Sequence, residues 1–293
     1  MIRRILLAGA VLAAPLMFAD TTQAGPIIYT IGSNSAIGLG GGTILGQIDV
    51  ATGTYSVIKS PISGSTAFEN LAPAADGTFY SWAGGRLYSV DTTGTAVAIG
   101  SNQSVANMYG LAYRPSTDTL FGYWWNSDNF GTVNPDTGVW TQNVPRIGFS
   151  NISAPSGGRL AVLNDVLYAT GNSRLKTIAW GTYAQTTVGS LNAAFSDMSL
   201  ATDGTTLYGV TGTHATGGAA LYTVNTTTGT LTKLSDLTGS SLPLYFMGAG
   251  MNDAPAVPEP GSLALISLLG CAGGFAHWRR RYTQKRQQVD GSV

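Results

Sequence analysis

A phrase that recurs along the chain limits its fold more than any other feature. Leu87-Tyr-Ser-Val-Asp-Thr-Thr-Gly-Thr-Ala-Val-Ala-Ile-Gly100 joins two β-prone runs, 87–90 and 95–99, through Asp91-Thr-Thr-Gly94. An aspartate able to hydrogen-bond its own backbone, followed by a glycine free to take positive φ, is turn chemistry, so the phrase reads as a β-hairpin. Variants of it stand at 46–53, 130–138 and 221–229, and a weaker one at 175–181. Hairpins of one kind at a roughly constant interval describe a repeat protein.

Composition agrees with strands. The chain has 293 residues, 10% of them charged, 44% hydrophobic and 39 glycine, which is poor material for long helices and favours an all-β fold. Lys and Arg total 15, as do Asp and Glu. Arg3, Arg4, Arg279, Arg280, Arg281, Lys285 and Arg286 all lie in the end segments, which leaves the middle mildly acidic. With no basic stripe in the body to neutralise phosphates, nucleic acid is not an expected partner.

The two ends read as address. Residues 1–24 carry Arg3 and Arg4, an uncharged run and Thr22-Gln-Ala24, the pattern of a signal peptide cut before Gly25. Cys271 is the only cysteine and falls outside the body, which must therefore be held together by its own core. Residues 261–278 form an uncharged run that as a helix would reach about 27 Å, enough to cross a hydrocarbon core. Arg279, Arg280 and Arg281 follow at once and would stay cytoplasmic, with 282–293 as a cytoplasmic tail and the body on the far side. Before the span stands Val257-Pro258-Glu259-Pro260. Pro-Glu-Pro, apolar span and arginine cluster, in that order, resemble the PEP-CTERM sorting signal of Gram-negative bacteria. The resemblance covers about a tenth of the chain and concerns address alone. It implies signal peptidase and exosortase as processing partners, transient membrane anchoring through 261–278, cleavage near Pro258 to Pro260, and delivery to the cell surface or an exopolysaccharide matrix. The tail 282–293 runs on further than such signals do.

Four landmarks can be followed through the body, 25–256. An aromatic or Met followed by small and apolar residues (strand a) stands at 68–72, 108–112, 149–153, 195–199 and 245–249. An aromatic-centred strand b stands at 28–31, 79–82, 120–123, 167–170 and 207–210, with Asp76-Gly77, Asp118, Asn164-Asp165 and Asp203-Gly204 supplying the a–b turns, and the hairpin supplies strands c and d. A period of about 40–50 residues with four strands per unit predicts a β-propeller, each unit one blade. The units resemble repeats of the NHL and quinoprotein-like propellers, which implies the fold and no particular activity. Residues 27–31 begin the body with strand b, and 245–251 end it with strand a. The expectation is therefore five blades, the first shared between the two ends of the body, which closes the ring and hides sheet edges.

Reactive groups are few. His214 is the only histidine of the body, so a multi-histidine metal site is not expected, and neither is a cofactor. No Gly-x-Ser-x-Gly elbow or phosphate loop occurs. Asp49, Asp91 and Asp136 read as turn formers. The b–c and d–a connections share one face of a propeller, and there the sequence places Asn34, Trp125, Asn126, Asp128, Asn129 and His214. Tryptophan with amides and a carboxylate is the mixture that holds sugars, which makes a surface or matrix polysaccharide the expected ligand of a non-catalytic module. The competing reading buries Trp124 and Trp125 between blades. A propeller hydrolase or lactonase is the alternative function; it needs carboxylates or amides converging on a metal in the central channel, and Glu69, Asn70, Asn151 and Asp197 on the inner strands are the candidates.

Overall fold

A computed structural model describes residues 25–33, 43–62, 68–105, 108–124, 129–144, 160–171, 173–192, 198–213, 215 and 217–251. They form twenty strands in five four-stranded antiparallel sheets arranged as a five-bladed β-propeller. The second blade contains β4 (Ala72–Pro73), β5 (Phe79–Ala83), β6 (Arg86–Val90) and β7 (Ala96–Ile99). The third is β8 (Met108–Arg114), β9 (Thr119–Trp124), β10 (Asn129–Val133) and β11 (Trp140–Val144). The fourth is β12 (Leu160–Leu163), β13 (Val166–Gly171), β14 (Arg174–Ile178) and β15 (Gln185–Ser190), and the fifth β16 (Met198–Thr202), β17 (Leu207–Thr211), β18 (Ala220–Val224) and β19 (Leu231–Asp236).

The first blade closes the ring. β1 (Ile27–Ser33), β2 (Thr43–Asp49) and β3 (Thr54–Lys59) take their inner strand from the far end of the body, β20 (Tyr245–Met251), with Ile28 opposite Met251. Every residue of β20 is buried. Outer strands such as β3 and β19 are largely exposed, so each blade grades from an apolar axis to a polar rim. The core divides into five clusters, one in each seam between neighbouring blades. That is what blades with two apolar faces require.

The hairpin turns follow the sequence. Asp49, Asp91, Asn134 and Asn225 each accept backbone N–H groups two or more residues on, at 2.8–3.2 Å. In the third hairpin Asn134 supplies the acceptor and Asp136 only a backbone N–H. Glycines 53, 94, 138, 181 and 229 have φ between 68° and 81°. Four of them do a second thing that sequence alone does not show: they touch the preceding blade. A Cβ on Gly138 would stand 2.5 Å from the Ile99 carbonyl oxygen, and one on Gly53 2.4 Å from Ser235 Oγ. In the fourth blade the turn glycine, Gly181, meets nothing within 4 Å. Trp180 and Tyr183 make the contact instead, their rings 4.6 Å and 6.5 Å from Phe121 of the third blade. This exchange of a glycine seat for an aromatic one explains why the fourth hairpin is the weakest match in sequence.

Two inner strands differ from expectation. In the fourth blade the inner strand is Leu160–Leu163, not 149–153, which lies outside the described residues. Asn164 and Asp165, both at positive φ, make a two-residue turn into β13, so the strand must end at Leu163. In the second blade only Ala72–Pro73 is regular, with Phe68 bridging Ala83. The predicted spans 1–24 and 257–293 lie outside the described residues, among which no helix is long and apolar enough to cross a membrane.

Candidate functional site

Where the inner strands meet near the a–b turns, a cavity of about 20 Å³ is walled by residues such as Leu111, Leu160, Leu200 and Ala249 and is no larger than one water needs.

At the mouth formed by the b–c and d–a connections, three inner strands carry a β-bulge at the same level. Phe68 pairs with Ala83 and Ala72 with Tyr80, so the inner strand of the second blade takes one more step than its partner. Tyr109 is the extra residue in the third blade and Met247 in the first. Bulges of this kind re-aim side chains and recur beside functional sites. Asn70, inside the first bulge, repairs the broken ladder: its Oδ1 accepts the Trp82 N–H at 2.9 Å and its Nδ2 donates to the Met108 carbonyl. Both functional groups of Asn70 are thus spent on the fold.

Glu69 is not spent in this way. Its side chain is buried, it accepts from the Met108 backbone, and Oε2 has no partner. Burial pushes its carboxyl up to about 8, against the lowering pull of that backbone bond, so the group is held neutral below pH 8. Burial, and then the Glu69 carboxyl beside it, pushes Tyr109 up to about 12. A neutral carboxylic acid with a free oxygen is a hydrogen-bond donor or a proton source.

Of the sugar-binding candidates, Asn34, Trp125, Asn126, Asp128 and His214 lie outside the described residues, as do Asn151 and Asp197. Ser33 and Thr43, Trp124 and Asn129, and Thr211 and Ala220, the described strand ends on either side of the first five, are paired within their blades. Asn129 opens β10, is 7% exposed and donates Nδ2 to Gln142 Oε1 at 2.8 Å, which makes it a support of that corner. Trp124 is half-buried against the seam between the second and third blades, its indole N–H unpartnered.

The opposite mouth, framed by a–b turns, opens into a funnel of about 500 Å³ lined by residues of four blades, among them Pro73, Tyr113, Ser116, Val162, Asp165 and Thr202. Sequence reasoning missed this concavity, because its walls come from turns far apart in the chain. Arg114 Nε donates to Asp165 Oδ1 at 2.7 Å, its Nη2 pairs with Oδ2, and its guanidinium lies 4.4 Å over the Trp180 ring. The Arg114 bonds, then that from Ser116, hold the Asp165 carboxyl down at about 2. Tyr113 donates to Asp118 Oδ1 at 2.7 Å, and Asp76 and Asp203 are bound by the hydroxyls of Thr78 and Thr205. One aspartate thus marks each of four corners: Asp76, Asp118 and Asp203 bind groups of their own blades, and Asp165 binds Arg114 and Ser116 of the third blade. Among the described residues no group of three His, Cys, Asp or Glu side chains is arranged to hold a metal.

No protein-family model matches the chain, and no curated protein matches it.

Proposed function

We propose that this chain is an exported β-propeller, sorted to the cell surface or matrix by its PEP-CTERM-like tail, where it acts as a non-catalytic structural or glycan-binding module. The observation that carries this reading is the order Pro258-Glu259-Pro260, uncharged run 261–278, Arg279-Arg280-Arg281, behind a leader-like first 24 residues. A body without cysteine, closed by pairing its own ends, suits such a life because it needs no disulfide outside the cell. Polysaccharide is the ligand that the address supplies, and Trp125, Asn126, Asp128 and His214 are the groups that would meet it. A single site of this kind binds weakly, with Kd on the order of millimolar to tens of micromolar, and many copies on one surface raise the avidity.

A second reading rests on Glu69. A buried neutral acid with an unpartnered oxygen, beside Tyr109 at a row of bulges, is the most enzyme-like feature among the described residues and would serve as the proton source of an ester or lactone hydrolase.

The deciding experiment expresses the full chain in a Gram-negative host that carries an exosortase. The unaltered chain is expected at the surface or in the matrix with its tail removed, and a chain with Pro258, Glu259 and Pro260 replaced by alanine in the inner membrane. Identical distributions would overturn the sorting role. Trp125→Ala should then lose retention on the host's own polysaccharide while keeping the denaturation midpoint; unchanged retention would remove Trp125 from the site. Ester or lactone hydrolysis that Glu69→Gln abolishes would replace binding with catalysis.

A further inference from the structure

The first blade has no a–b turn. In the other four blades a turn joins the inner strand to the next, at Asp76-Gly77, 115–118, Asn164-Asp165 and Asp203-Gly204. In the first, that corner is the place where the chain enters and leaves, because Ile28 pairs with Met251. The start of β1 and the end of β20 therefore stand side by side at the mouth that holds the 500 Å³ funnel. The described strand ends that lead into the b–c and d–a connections stand at the other end of the axis.

From this we infer that, while the tail anchors the chain, the two mouths have different neighbours: the funnel mouth faces the bilayer, and the bulged mouth faces outward. The inference rests on the tail being a membrane-spanning sorting segment. From residue 252 to Pro260 the chain spans at most about 30 Å fully extended, at roughly 3.4 Å per residue. A tether of that length, fixed at the rim of one mouth, keeps that mouth near its attachment and sets the far mouth a further strand length away. For the seven residues of β8 that length is about 20 Å.

The point of attachment sets the orientation, and the charges set only the distance from the lipid. Asp76, Asp118, Asp165 and Asp203 stand at the a–b turns of the attached mouth, with Asp165 lining the funnel and paired to Arg114. Such a rim repels anionic headgroups, so the body stands off on its tether and does not lie down on the lipid. The outward mouth is then the one with the three bulges, at Glu69, Tyr109 and Met247. A soluble polysaccharide is met there, and the funnel is shielded from it.

The chain suits a direct test, since Cys271 is its only cysteine. In full-length Cys271→Ser, a single cysteine is placed at exposed Ala75, in the a–b turn of the second blade, or at exposed Ser104, in the d–a connection after it. Each is coupled to a fluorophore in proteoliposomes of phosphatidylethanolamine and phosphatidylglycerol that contain an acceptor-labelled lipid. Energy transfer is expected to be at least twofold stronger from position 75 than from position 104, and the gap should persist when salt changes the stand-off. Equal or reversed transfer in carbonate-resistant, membrane-integrated protein would overturn the orientation while leaving the anchor intact. Protein extracted by carbonate would overturn the anchor itself, and the orientation with it.

Discussion

Replacing Gly138 and Gly181 by alanine separates two demands that one residue type meets in the same turn. Both glycines have left-handed backbones, φ 68° and 79°, and alanine there costs about 1–2 kcal/mol. Reduced freedom of the unfolded chain returns about 0.4–1 kcal/mol of that in both variants. Only Gly138 touches the preceding blade. Its Cβ would lie 2.5 Å from the Ile99 carbonyl oxygen and 3.4 Å from Leu87 Cβ, and Ile99 is paired to Leu87 across β6 and β7, so neither can retreat without loosening that sheet. Such overpacking adds about 1–3 kcal/mol. Gly138→Ala should therefore lose about 1–3 kcal/mol more than Gly181→Ala, several degrees in Tm for a domain of this size. Urea titration followed by tryptophan fluorescence and circular dichroism measures both. Gly100, whose Cβ would stand 1.8 Å from the Thr137 carbonyl oxygen, approaches the same contact from the other side. Gly100→Ala should match Gly138→Ala, and the double variant should cost less than their sum. Equal midpoints for Gly138→Ala and Gly181→Ala would refute the idea that the turn glycines seat one blade on the next.

Glu69 gives the fold a pH dependence of definite sign. Its carboxyl titrates at about 8 in the fold against 4.5 in the unfolded chain, so its contribution is complete below pH 4.5 and is lost as pH rises towards 8. Glu69→Gln should flatten stability between pH 5 and 9 and exceed the parent at pH 9, and parallel urea midpoints for the two chains across that range would show that Glu69 does not titrate there. Ring closure predicts that a chain of residues 25–256 unfolds cooperatively, whereas 25–240, without β20, leaves β1 lacking its inner partner and aggregates. A monomeric and equally stable 25–240 by light scattering and calorimetry would exclude closure. Spectrophotometric titration should find Tyr55 and Tyr113, both pushed up to about 12 chiefly by burial, still protonated at pH 11, and normal ionisation in Tyr55→Phe and Tyr113→Phe difference spectra would refute their burial.

The architecture was legible because its signals are local and repeated. A turn that needs positive φ shows itself as glycine, and strand b at the start with strand a at the end is visible without coordinates. Inner strands were harder to place. Residues 149–153 carry the aromatic-then-small pattern, but Asn164-Asp165 is a two-residue turn, and such a turn fixes the end of the strand before it more firmly than any side-chain pattern. The bulge at Glu69 was out of reach for a similar reason: an extra residue in an inner strand changes no composition, only register. The role of Asn129 depends on Gln142 across the sheet, and the Arg114–Asp165–Trp180 cluster on three turns of two blades. The contact at Gly138 was hidden differently, since left-handed backbone and close approach ask for the same amino acid and sequence cannot tell which one is being met.

Beneath the funnel, Leu111, Leu160 and Leu200 narrow the space to about the size of one water. The two mouths are built from different material. Around the funnel each aspartate is already bound by a hydroxyl, a guanidinium or a backbone N–H, and a ligand competing for it would have to break a turn. At the opposite mouth Glu69 Oε2 and the Trp124 indole N–H are buried with nothing bound to them. A buried polar atom left unpartnered costs about 1–3 kcal/mol, and a ligand that satisfied it would recover part of that cost on binding. Two of the unmade hydrogen bonds thus stand at the end opposite the chain's entry and exit, and a partner that docks there gains by making them.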